Sequence, residues 1–274
     1  GRAPPSPRLR QLRLSEVQKK VDQTVLGAEV LRLLGNASKA SARKAGEQLL
    51  AAAIFFGRPL TVLQVGACDG AWADTNDPVQ PLLTNKAVRG LLLEPAPPQW
   101  EELKGRIMAL PAADGRLLAL NAALCPLGSQ KSLPFYTVSS RYAVDYPDAP
   151  HWAKKEIGSL LRTHLEKHKI PAEYIEEIPV PCRTAKEVFQ EPGAPVSNPE
   201  ELDVLLVDAE GMDADVVNAF FDIPGLHPAL IVFERQHMVA AKRQQLADRL
   251  LAKGYFLWDE DRRNSVAVLN VSHI

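Results

Sequence analysis

The chain has 274 residues, 46% of them hydrophobic and 24% charged, with a formal net charge of −1. This balance supports one large core and excludes a general electrostatic pull toward nucleic acid or an anionic membrane surface. No apolar run approaches the ~20 residues that cross a bilayer, so no membrane span is expected.

The first twenty residues carry four arginines before the first acid, Glu16, and the chain starts on Gly1. Such an end fits either a cloning remnant or the mature terminus left when an Arg-rich organellar presequence is removed. On the second reading the protein is intracellular, in a mitochondrion or plastid. A Pro/Arg arm with few apolar groups orders only against something else, so it is a candidate contact for a protein partner. The three cysteines, Cys68, Cys125 and Cys182, are widely spaced and odd in number. They predict neither a zinc pattern nor a disulfide framework, which favours a reducing compartment.

Residues 1–57 read as an arm and helical extension. Apolar positions recur at helical spacing through Val21, Val25, Val30, Leu33 and Leu34, and the alanine-rich stretch 45–56 forms a further helix. From Thr61 strands and helices alternate. TVLQVGA (61–67), RGLLLEP (89–95), LLALNAAL (117–124), LDVLLVDAEG (202–211) and PALIVFERQ (228–236) are the strands, several of them unbroken apolar runs suited to a covered parallel sheet. MDADVVNAFFDI and AAKRQQLADRLLAKG read as helices, the second stopping at Lys253-Gly254. GYFLWDED and NSVAVLNV predict a closing antiparallel hairpin. The pattern is α/β: a mostly parallel, doubly wound sheet with helices on both faces over 58–274.

Residues 131–201 interrupt that rhythm. KSLPFYTV and IEEIPVPCRT read as strands, and HWAKKEIGSLLRTHLEKHK (151–169) as one helix. An insertion of this length tends to overhang the site. His164 and His168 stand four apart, a spacing that suits zinc, but no third ligand is evident nearby. They are therefore read, with Lys154, Lys155, Arg162, Lys167 and Lys169, as a solvated basic face.

VGACDG (65–70) lies at the carboxyl end of the first parallel strand, where ligands gather in such sheets. Gly66 permits a sharp turn and Gly70 a close approach of the backbone. The loop lacks the third glycine of a pyrophosphate cradle and contains Asp69, which would repel phosphate. It suits instead the cationic amino-acid end of S-adenosylmethionine (SAM). Glu94, ending the next strand, can accept both hydroxyls of a ribose. Trp72 could cover the ligand.

VLQVGACDG, DPVQPLL, RGLLLEPAP, LNAAL, DVLLVDAEGMDADVV and PALIVFERQH, in that order over about 60–260, resemble the FkbM-type SAM-dependent methyltransferases. The resemblance implies a class I methyltransferase fold, a seven-stranded sheet with its last strand antiparallel, and methyl transfer from SAM to an oxygen of a small molecule or sugar. Carried onto this chain, it implies that Val65, Gly66, Cys68, Asp69 and Gly70 line the methionine part, Glu94 and Pro95 the ribose, and Asn121 and Ala122 the adenine. Asp208, Glu210, Glu234 and His237 would face the methyl group. Cys68 stands where that family usually has asparagine.

Methyl transfer from a sulfonium needs alignment of the nucleophile and removal of its proton. His237 is the preferred base, oriented by one of the acids, with Asp208 second. A divalent cation among these acids is the lesser reading, and no metal ligands are assigned. Two other readings stand beside the enzyme: an accessory subunit of a larger organellar assembly that keeps the fold with little turnover, and a nucleotide-dependent oxidoreductase, weakened by the missing glycine.

Overall fold

The computed structural model describes residues 41–71, 77, 80–111, 115–125 and 130–270. The N-terminal arm, the helical spacing from Val21 to Leu34, Trp72, and Pro78 and Val79 of DPVQPLL lie outside the described residues.

Helix α1 (Ala42–Phe55) leads into a sheet built from β1 (Leu60–Val65), β2 (Val88–Leu93), β3 (Leu117–Leu120), β7 (Val204–Val207), β8 (Leu230–Glu234), β9 (Tyr255–Asp259) and β10 (Asn264–Leu269). Its spatial order is β3-β2-β1-β7-β8-β10-β9. Every pairing from β3 to β8 is parallel, and β10 runs antiparallel to both β8 and β9. This is a Rossmann-like, mostly parallel seven-stranded sheet, as the resemblance implied. The chain starts in the middle at β1, works outward to β3, then returns to lay β7 against the other side of β1. That reversal opens a crevice beyond the carboxyl ends of β1 and β7.

The strand sequences explain the layers. All six residues of β1 and all four of β7 are buried, so side chains alternate between two cores. Leu60 and Val62 pack with α1 and with Leu103 and Ile107 of α2 (Pro97–Ala109) on one face. Leu63 and Val65 pack on the other face with α7 (Asp213–Phe221) and α8 (Ala240–Ala252). Each fully buried leucine or valine contributes roughly 1.5–3 kcal/mol. At the far end from the crevice, Arg58 grips Asp203 through two bonds of 2.7 and 2.8 Å, and Asp203 also accepts from the Thr61 amide. That fork fixes the register of β1 against β7 at its base.

LLALNAAL forms two elements rather than one strand. Asn121 and Ala122 part β3 from β4 (Ala123–Leu124), which joins a second sheet of order β4-β6-β5. Here β5 (Ser132–Val138) runs antiparallel to β6 (Ile175–Arg183). The predicted helix 151–169 is also divided, into α4 (His151–Lys155) and α5 (Arg162–Lys167), following the short α3 (Ser140–Asp145). The break has a cause: Gly158 packs under the Phe135 ring, where a Cβ would come within 2.6 Å, and Ser159 exchanges backbone hydrogen bonds with Tyr136. A continuous helix could not make that bridge. After α6 (Ala185–Phe189) the chain returns to β7.

Contrary to the sequence expectation, Cys125 and Cys182 are joined as a disulfide, their Cα atoms 5.5 Å apart. They lie 57 residues apart in sequence, and only the pairing of β4 with β6 brings them together. Cys68 is free.

Candidate active site

The crevice at the reversal is a cleft of about 560 Å³. The tips of β1 and β2 form one rim, the tips of β7 and β8 the opposite rim, and the 131–201 insertion closes over it through Phe135, Trp152, Lys155 and Leu160. The expected overhang of the insertion is thus present.

On the first rim, Gly66 has φ +81°, and a Cβ there would sit 1.7 Å from the Asp208 carbonyl oxygen. Only glycine allows β1 and β7 to stay this close as they leave the sheet. Cys68 follows at φ +48°, a left-handed conformation that asparagine tolerates better than cysteine. This gives a backbone reason for the asparagine usual in the resembling family. Burial pushes the Cys68 thiol pKa up, so the thiol stays protonated.

Glu94 is 6% exposed and staples the loop. Its Oε2 accepts from the Cys68 amide and its Oε1 from the Ala96 amide, each at 2.8 Å. Burial raises its pKa to about 7 against the pull of those two amides. Each oxygen keeps a further lone pair for a guest. Asn121 donates to the Glu94 and Pro95 carbonyls at 3.0 and 2.9 Å. It joins the β2 and β3 tips behind the wall, and its neighbour Ala122 lines the cleft. Val65, Gly66, Cys68, Asp69, Glu94 and Pro95 line it too, whereas Gly70 and Asn121 support it from outside.

Asp69 is already engaged. Its Oδ1 accepts from the Ala71 amide, and its Oδ2 lies 2.8 Å from Lys155 and 3.3 Å from Arg106. Burial alone would raise its pKa, but these two cations outweigh that and hold it below the ordinary carboxylate range. Lys155 also pairs with Glu102 at 2.7 Å, so the basic residue read as solvated ties the insertion to the glycine loop and to α2. Sequence spacing carries no trace of a partner 86 residues away.

On the second rim, Asp213 is completely buried at the head of α7 and accepts from the Ala209 and Gly211 amides at 3.1 and 3.2 Å. This holds Glu210 at φ +48°, with its backbone carbonyl taken by the Ser159 hydroxyl at 3.0 Å. The Asp208 side chain is open to the water of the cleft but deep between its walls. That enclosure, then the Glu210 carboxylate, raises its pKa. Glu210 is raised to about 7 by burial and by Glu156, and Glu234 to about 10 by burial and by Asp208, Glu210 and Asp213.

His164 and His168 depart furthest from expectation. They are not a solvated face. The break before α5 turns them inward, and His164 is only 3% exposed. Its ring centroid lies 4.7 Å from that of His168 and 4.6 Å from that of His237, while His168 and His237 are 5.2 Å apart. His237 Nε2 stands 3.8 Å from Glu210 Oε2 and 3.7 Å from Glu234 Oε1, with a long 3.4 Å contact to the Gln236 amide. Burial and the neighbouring imidazoles lower His237 to about 4, and burial with Lys167 lowers His164 to about 4. Burial and His164 lower His168 as well. The H-x-x-x-H spacing was visible in the sequence. Its third member, 69 residues on, was not.

No protein family and no curated protein matches this sequence. Solved structures do. The chain is similar to a precorrin-6y C5,15-methyltransferase from Geobacter metallireducens GS-15, at 10% identity over 78% of this chain and 81% of that one, TM-score 0.36. A SAM-bound magnesium protoporphyrin IX methyltransferase from Synechocystis PCC 6803 aligns at 10% identity over 83% and 79%, TM-score 0.39. A methyltransferase from Podospora anserina, bound to S-adenosylhomocysteine (SAH), aligns at 11% over 98% and 99%, TM-score 0.36.

Proposed function

We propose that this chain is a SAM-dependent methyltransferase of the FkbM type, moving a methyl group to an oxygen of a small-molecule or sugar acceptor. One observation carries the reading: Gly66 and Glu94, predicted on separate strands, line a single cleft at the reversal of strand order. Its volume is in the range of ligand sites, roughly 300–1,000 Å³. The residues present fit the donor. Glu94 has free lone pairs for the ribose hydroxyls, and the bare backbone at Gly66 leaves room for the methionine part. The apolar Ala122 and Leu124 beside Pro95 suit a flat base. Asp69 would meet the ammonium in competition with Lys155.

Bound SAM supplies an electrophilic methyl on sulfur. This chain's residues then have two tasks. The insertion residues Phe135, Trp152 and Leu160 exclude water and hold the acceptor over the cleft. At the β7–β8 tips His237, beside Glu210 and Glu234, or second to it Asp208, takes the acceptor's proton.

Calorimetry tests this. SAM should bind to the wild type, and Glu94→Ala should weaken binding ~100-fold or more, as expected from two lost charged hydrogen bonds at ~1.5 kcal/mol or more each. Binding of NAD in place of SAM would end the reading.

A further inference from the structure

We propose that His164, His168, His237 and Glu210 form a binding site for a divalent transition-metal ion, zinc-like in its preference, on the acceptor side of the cleft.

The ligands come from three separate parts of the chain and meet because of the fold. His164 and His168 belong to the end of the insertion helix α5, Glu210 to the turn after β7, and His237 to the turn after β8. Within the trio His164, His168 and His237, one ring nitrogen from each lies within 4.8 Å of the others. The same holds for Glu210, Glu234 and His237, which share the histidine. A tetrahedral zinc with bonds of about 2.0–2.1 Å sets its ligand atoms roughly 3.3 Å apart. The separations of 2.9 Å for His164 Nε2 to Glu210 Oε2 and 3.8 Å for His237 Nε2 to Glu210 Oε2 bracket that value.

A second observation points the same way. His164 Nε2 is buried and makes no hydrogen bond, although Glu210 Oε2 lies 2.9 Å away. Glu234 Oε2, buried beside the cluster, is also without a partner. Buried polar atoms without partners cost about 1–3 kcal/mol each. A cation at His164 Nε2 would relieve the first directly, and its charge would offset the burial of the Glu234 carboxylate beside it. Imidazole with one carboxylate suits zinc, while an all-oxygen set would suit magnesium or calcium. His168, His237, Glu210 and Glu234 line the cleft, so the cation would be reached by an acceptor offering an oxygen. A bound cation also claims the His237 lone pair, so in the metal-loaded protein proton removal falls to Asp208.

The site stands without the SAM reading and is tested without SAM. The full chain is stripped with chelator, then titrated with Zn²⁺ alone and with Co²⁺ alone, following metal content after dialysis and the visible absorption of cobalt. One equivalent per chain is expected, with a cobalt spectrum of tetrahedral intensity and a Tm raised by Zn²⁺. His168→Ala, at the half-buried end of α5, should keep the apo Tm. It should weaken zinc by more than the ~10–100-fold that loss of an outer-shell partner costs. His164→Ala should do the same. Failure of the wild type to hold a stoichiometric ion overturns the site. So does unchanged affinity in a folded His164→Ala/His168→Ala double variant. Calorimetry with SAM on the stripped protein reads the donor site separately.

Discussion

The two rims of the cleft hold their charged groups in opposite ways. On the β1–β2 rim each carboxylate has its partners within the chain: Glu94 two backbone amides, Asp69 one amide and two cations. On the β7–β8 rim Glu210 and Glu234 crowd His237, which meets His164 and His168 of the insertion, and two buried polar atoms there lack hydrogen bonds. The first rim is complete and preorganised, so a guest uses spare lone pairs. On the proposal above, a cation would complete the second. A donor site and a metal-assisted acceptor site are the functions that contrast suggests.

The largest effect that could break the comparison is at the seam between the rims. Gly66→Ala places a methyl 1.7 Å from the Asp208 carbonyl oxygen at a φ that alanine avoids. It should cost at least ~3 kcal/mol in urea unfolding. A smaller loss would mean that the rims separate easily and are not preorganised.

Next is the pH response of Glu94, whose folded pKa is raised by burial from 4.5 to about 7. A raised acid stabilises the fold most below its unfolded pKa, and that contribution disappears as pH rises through its folded pKa. The stability difference between wild type and Glu94→Gln should therefore fall by about 3 kcal/mol between pH 4.5 and pH 8. A flat difference would mean that the two amides hold the carboxylate ionised throughout.

Two smaller effects sharpen the picture of the first rim. Lys155→Ala should cost roughly 1 kcal/mol, since the lysine is partly exposed, by freeing the insertion from Asp69. No change in melting would show that the insertion is held elsewhere. Cys68→Asn should stabilise by a few tenths of a kcal/mol up to ~1, because asparagine accepts the left-handed backbone at that position. Destabilisation would show that packing of the thiol outweighs the backbone.

How much was legible in the sequence follows the same division. Unbroken apolar runs ending in glycine or an acid specify β1, β2, β7 and β8, and with them Gly66, Glu94, Asp208, Glu210, Glu234 and His237, because strand and tip are local in the chain. The insertion hid its part. The H-x-x-x-H pair looks like a solvated helix face until Gly158 and Ser159 break the helix to pair with Tyr136, and that break depends on β5. Lys155 with Asp69, Cys125 with Cys182, and His237 with His164 are contacts across 57–86 residues that no periodicity encodes. Asp213 stands within DVLLVDAEGMDADVV with no role read from it, and its part as the buried clasp of Glu210 depends on a loop geometry that one sequence does not display.

The most direct measurement of the central claim is a crystal structure with S-adenosylhomocysteine. The account predicts its ribose hydroxyls within hydrogen-bond distance of the Glu94 carboxylate, its backbone against Gly66, and its sulfur facing the rim of Asp208 and Glu210. Ligand density anywhere else, or an empty cleft at saturating ligand, would contradict it.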